Sequence, residues 1–142
     1  MTARVLLLSL LLTTPMAAQP DDLVLLLQQR NCPDCRLSDV DLVHADLRDA
    51  DLSGAQLQRA NLSQARLDGA NLRNTDLRLT SLKGASLRGA DLRGSKLYGT
   101  DFRQSDLSGA LLDPVALEQS SVPRRLDQAG PVSYTHLRAH ET

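Results

Sequence analysis

The chain has 142 residues, enough for one domain, with 16 basic and 17 acidic residues and a formal net charge of −1. Such a balance argues against a nucleic-acid binder or a polyanion mimic. With one Phe, two Tyr and no Trp, any core has to be aliphatic.

Residues 1–18 open with Arg4, run through an apolar stretch from Val5 to Leu12, and close on a Pro and small residues. That is the layout of a signal peptide cut after Ala18, although Met16 stands where a small residue is preferred. The apolar run falls short of the roughly 20 residues needed to span a bilayer, and no Cys near the cut offers a lipid anchor. The expectation is a protein exported to a periplasm or an equivalent lumen, with no membrane attachment after signal removal.

Residues 19–34 combine a short helical segment with a CxxC pair. In DDLVLLLQQRN, Asp21 or Asp22 can cap an α-helix, Leu23, Leu26 and Leu27 form its apolar face, and Asn31 would end it. Cys32-Pro-Asp-Cys35 can be a redox dithiol, half of a zinc site or a disulfide. Zinc lacks ligands, since His44 is the one further donor nearby. Redox catalysis would want a βαβ setting. An exported protein favours oxidation, so a Cys32–Cys35 disulfide tying the helix to the next stretch of chain is the preferred reading, with no metal and no cofactor.

From Cys35 to Pro114 a unit of five recurs without one insertion. Leu or Phe stands at every fifth position from Leu37 to Leu112, sixteen times. Two residues earlier stand Cys35, Val40, nine Ala, and Thr or Ser at 75, 80, 95, 100 and 105. Nine of the sixteen residues just before the Leu are Asp or Asn. Five is the period of neither helix nor strand. A chain that must turn a small residue and a Leu inward every five residues can do so by turning a corner after each five. Such sides bury little alone, so coils must stack at the strand spacing of about 4.8 Å.

These A(D/N)LxG-like tandem units resemble the pentapeptide repeat family. The resemblance implies an all-β fold, a right-handed quadrilateral β-helix of about four coils with a short N-terminal α-helical cap. It also implies residue columns at intervals of twenty. Leu37, Leu57, Leu77 and Leu97 would form one column, and Leu42, Leu62, Leu82 and Phe102 the next, with Phe102 at a column end. Leu72 would stack between Leu52 and Leu92. Exported family members of cyanobacteria-like organisms occupy periplasm or thylakoid lumen, so the resemblance also implies a non-catalytic structural or protein-interaction module with an unidentified protein partner.

Two other functions are weighed. The quinolone-resistance members imitate DNA through an acidic surface and bind topoisomerase, but residues 35–114 hold eleven bases and eleven Asp. Arg73, Arg78, Lys83, Arg88, Arg93 and Arg103, each just after the central residue, spiral around the square and form no single stripe. An exported thiol redox factor would need a reactive Cys32. No Ser/His/Asp set, carboxylate pair or phosphate loop suggests an enzyme.

Past Leu112, residues 115–131 form a polar tail with no comparable cap, and a bare last coil is where a second copy could pair as a homodimer. Residues 132–142, VSYTHLRAHET, resemble one translated frame of a transposon-type sequencing adapter. They hold two of the three His, at 136 and 140, and one of the two Tyr, so neither His is read as a metal ligand. Resequencing across the codon for Gly130 checks this. A genomic read that continues into VSYTHLRAHET and a stop codon overturns it.

Overall fold

The computed structural model describes residues 20–113 and Ser120. The signal-peptide segment, the polar tail apart from Ser120, and the adapter-like residues 132–142 lie outside the described residues.

Helix α1 spans Pro20–Gln29 and carries Asp21 and Asp22 in its first turn, where the positive end of the helix dipole favours carboxylates. Leu26 is fully buried, and Leu23 and Leu25 pack partly buried against the core. Leu27, expected on that face, is 55% exposed; the face is set by Leu23, Leu25 and Leu26 instead. The helix ends at Gln29, and Arg30 rather than Asn31 is the residue that terminates it. Arg30 turns left-handed at φ 53° while its amide still bonds the Leu26 carbonyl at 2.9 Å. Asn31 already belongs to the first coil, pairing with Asp51. The coiled part therefore starts one unit before Leu37, with Cys32 in the slot that Leu fills elsewhere.

Every bridge is parallel and joins a residue to the one twenty positions on, as in the series Asn31, Asp51, Asn71, Asp91 and Leu111. Twenty residues are four units of five, so each unit is one side of a four-sided coil. Each side contributes a single bridging residue and no longer strand, because two of its five residues are spent on the corner. There the carbonyl of the central Leu accepts from the amide three residues on, as for Leu57 and Ala60 at 3.0 Å. The third turn residue has positive φ, the mark of a type II turn. Gly is found in that slot at 54, 69, 84, 89, 94, 99 and 109, and Asp, Asn or other residues fill the rest.

An accounting of amides explains the rest of the unit. Around Leu52, the Asp51 amide bonds the Arg30 carbonyl, the Leu52 amide bonds Asn71, the Gly54 amide bonds Arg73, and the Ala55 amide closes the turn on Leu52. The fifth amide, of Ser53, has no carbonyl to meet. The Asp51 carboxylate accepts it at 3.0 Å. The same bond recurs from Asp41, Asp46, Asn61, Asn71, Asp76, Asp91, Asp101 and Asp106 to the amide two residues on. Asp and Asn precede the Leu because a short acceptor there satisfies the one amide that the ladder leaves over.

Inside, the central Leu residues are buried along the whole stack. Where Thr replaces Ala, its hydroxyl turns onto a Leu carbonyl, as from Thr80 to Leu57 at 2.6 Å and from Thr100 to Leu77 at 2.7 Å. A buried hydroxyl is tolerated because it finds a partner.

Candidate functional site

The residues picked out by sequence fall in two places. Leu52, Leu72 and Leu92 occupy one side of the square and Leu62, Leu82 and Phe102 another, each at most 1% exposed. Cys32 and Cys35 lie in the first coil, with Cα atoms 5.5 Å apart and sulfurs placed as a disulfide pair. Cys32 is fully buried and Cys35 is 6% exposed. The Cys32 Sγ sits 3.3 Å from the Asp22 carbonyl oxygen of α1. A dithiol in that position is shielded from the solvent that an exchange reaction needs. Among the described residues, no group of three or more His, Cys, Asp or Glu could hold a metal ion.

The outer faces are tied down by ion pairs built into the repeat. In Asp-Leu-Arg units the Asp and Arg flank an inward Leu and so point outward together. Arg93 grips Asp91 with Nε at 2.9 Å and Nη2 at 2.6 Å. Arg48 with Asp46, Arg78 with Asp76 and Arg103 with Asp101 repeat the fork. Arg59 reaches across coils to Asp39 at 2.7 and 2.6 Å. These guanidiniums hold Asp46, Asp91, Asp101 and Asp39 below the usual carboxylate range. Asp106 is pulled to about 2 by the Ser108 hydroxyl and then Arg88. Burial pushes Asp76 upward, but the bonds from Arg78 and Gln58 prevail and its pKa falls.

The four sides differ in what they leave over. Side 1, on Leu37, Leu57, Leu77 and Leu97, presents Arg36, Arg59, Arg78 and Lys96 against Asp39 and Asp76, a net +2. Side 2, on Leu42, Leu62, Leu82 and Phe102, balances Lys83 and Arg103 with Asp41 and Asp101. Side 3, on Leu47, Leu67, Leu87 and Leu107, sets Arg48, Arg66 and Arg88 against Asp46, Asp49, Asp68 and Asp106, a net −1. Side 4, on Cys32, Leu52, Leu72, Leu92 and Leu112, sets Arg30, Arg73 and Arg93 against Asp34, Asp51, Asp91 and Asp113, a net −1.

Side 1 also carries the two most exposed large apolar side chains of the described coils, Tyr98 at 62% and Leu79 at 57%. With Ser38, Gln58, Arg59 and Arg78 they line a depression of about 340 Å³. Sequence reasoning passed over both residues. The available signal was positional, since Leu79 is the one large apolar residue in the positive-φ slot and Tyr98 the one aromatic in the slot before it.

The match for pentapeptide repeats covers residues 35–74 and 70–109, more than half of the chain. The chain belongs to the pentapeptide repeat family. Proteins of this family form right-handed quadrilateral β-helices, are generally non-catalytic, and act in protein interactions. HetL, a pentapeptide repeat protein involved in heterocyst differentiation regulation in Nostoc sp. strain PCC 7120, is 34% identical over 58% of this chain and 40% of its own, with a TM-score of 0.33. This chain thus spans less than half of HetL. A second Nostoc PCC 7120 pentapeptide repeat protein is 30% identical over 84% of this chain and 99% of its own, TM-score 0.42. One from the Arabidopsis thaliana thylakoid lumen is 31% identical over 68% and 71% of the two chains, TM-score 0.30. No curated protein matches the chain in sequence.

Proposed function

We propose that this pentapeptide repeat protein is an exported, non-catalytic module that binds a protein partner along the outside of a rigid rod of about four coils. The observation that carries the reading is the contrast among the sides. Ion pairs within the repeat tie down four of the units, while side 1 keeps Tyr98 and Leu79 in the open. Isolated exposed apolar residues are ordinary, but an exposed Tyr beside two arginines has the composition of an interface centre, and Leu79 adds apolar area next to it. In this reading α1 caps the first coil, Cys32 and Cys35 are oxidised, residues 1–18 direct export to periplasm or thylakoid lumen, and the last coil is the place where a second copy would pair. Lumenal residence of the Arabidopsis relative supports the location.

A DNA-mimicking role is less well supported. Among the described residues no side is more negative than −1, and most Asp residues of side 4 are engaged by Arg, Ser or backbone amides. No described helix is long and apolar enough to cross a membrane.

The test is fractionation of the native organism followed by cross-linking. The expected outcome is a chain lacking residues 1–18 in the exported soluble fraction, its cysteines resistant to alkylation until reduced, and cross-linked to a different polypeptide. Cytosolic protein with an intact N-terminus overturns the export, two freely alkylated thiols overturn the disulfide, and the absence of any cross-linked polypeptide overturns the interaction role.

A further inference from the structure

We propose that side 1 is a docking groove for an acidic, extended protein segment that carries an apolar residue between its carboxylates; this rests on the interaction-module reading and names the partner's chemistry. Leu79 supplies the first reason. It holds a φ of 59°, in a slot otherwise given to Gly or to polar residues. A left-handed backbone costs a Leu stability, and at 57% exposure burial does not offset the cost. The next coil makes room for it, since Gly99 lies beneath and a Cβ there would come 2.7 Å from Leu79 Cδ2. A residue that breaks the local rule without a folding gain marks a functional position.

The groove is built before any partner arrives. Ser38, only 2% exposed, donates to Gln58 Oε1 at 2.7 Å, and Gln58 Nε2 donates to Asp76 Oδ2 at 2.9 Å. Arg59 is clamped on Asp39 and Arg78 on Asp76. Floor and walls therefore lose little freedom on binding.

Charge then selects the occupant. Arg78 at 2.6 Å and Lys96 at 4.0 Å share the single Asp76 carboxylate, which leaves one positive charge in excess there. Arg36 makes no ion pair among the described residues. Arg36 and Lys96 stand in the slot before the Leu on side 1, three coils apart, which is roughly 14 Å at the strand spacing. An extended chain covers that distance in about four steps of 3.3 Å, and alternate residues share a face. A segment Glu-x-Leu-x-Glu lying along the rod meets Arg36 and Lys96 with its carboxylates and the Leu79 and Tyr98 pair with its Leu.

The probe is fluorescein-labelled Glu-Ser-Leu-Ser-Glu, titrated with the full oxidised chain and read by fluorescence anisotropy. Expected are saturable binding, at least tenfold weaker binding of Lys-Ser-Leu-Ser-Lys, and at least tenfold loss in Leu79→Asn/Tyr98→Ser. Leu79→Asn/Tyr98→Ser should melt no lower than the parent, because Asn accepts positive φ and Tyr98 is 62% exposed, so lost binding is not lost folding. Absent or non-saturable binding, equal binding of the Lys peptide, undiminished binding by the double variant, or displacement of the peptide by a single-stranded oligonucleotide overturns the assignment. The cross-linking test detects a partner on any side. A partner found there while the peptide fails overturns this groove and leaves the interaction role standing.

Discussion

At the scale of the residue, each position of the unit answers one physical demand. Leu72 is fully buried and supplies the inward apolar volume, whereas Arg73, next along, keeps about half of its side chain in water. Leu72→Asp would place an unpaired charge inside the stack and is expected to cost about 3 to 5 kcal/mol. Arg73→Ala should stay within about 0.5 kcal/mol of the parent. Paired thermal melts check the assignment, and equal melting of parent and Leu72→Asp would place Leu72 outside the core. The residue before the Leu makes a sharper case. Asp91 accepts from the Arg93 amide at 3.1 Å, and no ladder carbonyl replaces it. Asp91→Ala should cost about 1 to 2 kcal/mol through an unmet amide, while Asp91→Asn, which keeps an acceptor, should lose less. An Asn variant as unstable as the Ala variant would assign the effect to the Arg93 ion pair instead.

At the scale of one side, the inward pattern was readable from the chain because a constant spacing of five admits one geometry, and Leu and Ala mark it without ambiguity. The outward pattern was only half readable. Recurrent Asp was attributable to turns, yet which amide it serves depends on where the ladder bonds go, and that is a property of stacked coils. Gly recurring at multiples of the period was a legible mark of the positive-φ corner that the sequence reading passed over. Cys32 hid the first side, since a thiol in a Leu slot does not advertise the repeat. The surface pairs between coils, such as Arg59 with Asp39 and Arg88 with Asp106, join residues sixteen to twenty positions apart and become visible only once the coil length is known. The ion pairs within units and between coils together set a pH dependence. A carboxyl with a lower pKa folded than unfolded contributes stability that is present above its unfolded value, near 3.9, and lost as pH falls toward the folded one. Asp39, Asp46, Asp76, Asp91, Asp101 and Asp106 are all shifted downward, Asp106 to about 2. Urea midpoints should therefore hold level from pH 7 to about 4 and decline below it. An Asp91→Asn/Asp101→Asn/Asp106→Asn variant should decline less steeply, and an identical acid profile would show that these pairs do not couple to folding.

At the scale of the whole molecule, a solenoid is held by contacts between neighbouring coils, so its ends are where stability is won or lost. In the inner coils an amide such as that of Gln56 donates to the coil before it, to Cys35 at 2.8 Å. Arg36 has no coil before it, and the Asp22 carboxylate of α1 takes its amide at 2.7 Å. Leu26 covers the core from the same helix, and the Asp22 carbonyl rests against Cys32. In the proposed capping role helix α1 stands in for the missing coil, and the two cysteines sit directly beneath it. Cys32→Ala/Cys35→Ala should then act locally. Removing the sulfurs empties space under α1 and frees the first corner, but the Leu72 and Leu92 amides still donate to Asp91 and Leu111. Hydrogen exchange should show faster exchange at Arg30, Asp34 and Arg36 and little change at Leu72 and Leu92. Opening that edge also uncovers unpaired groups ready to add another chain, so size-exclusion chromatography of the same variant should show self-association that rises with concentration. Uniform acceleration across all coils would instead mean that the rod folds as one unit, its first coil serving as nucleus for the others.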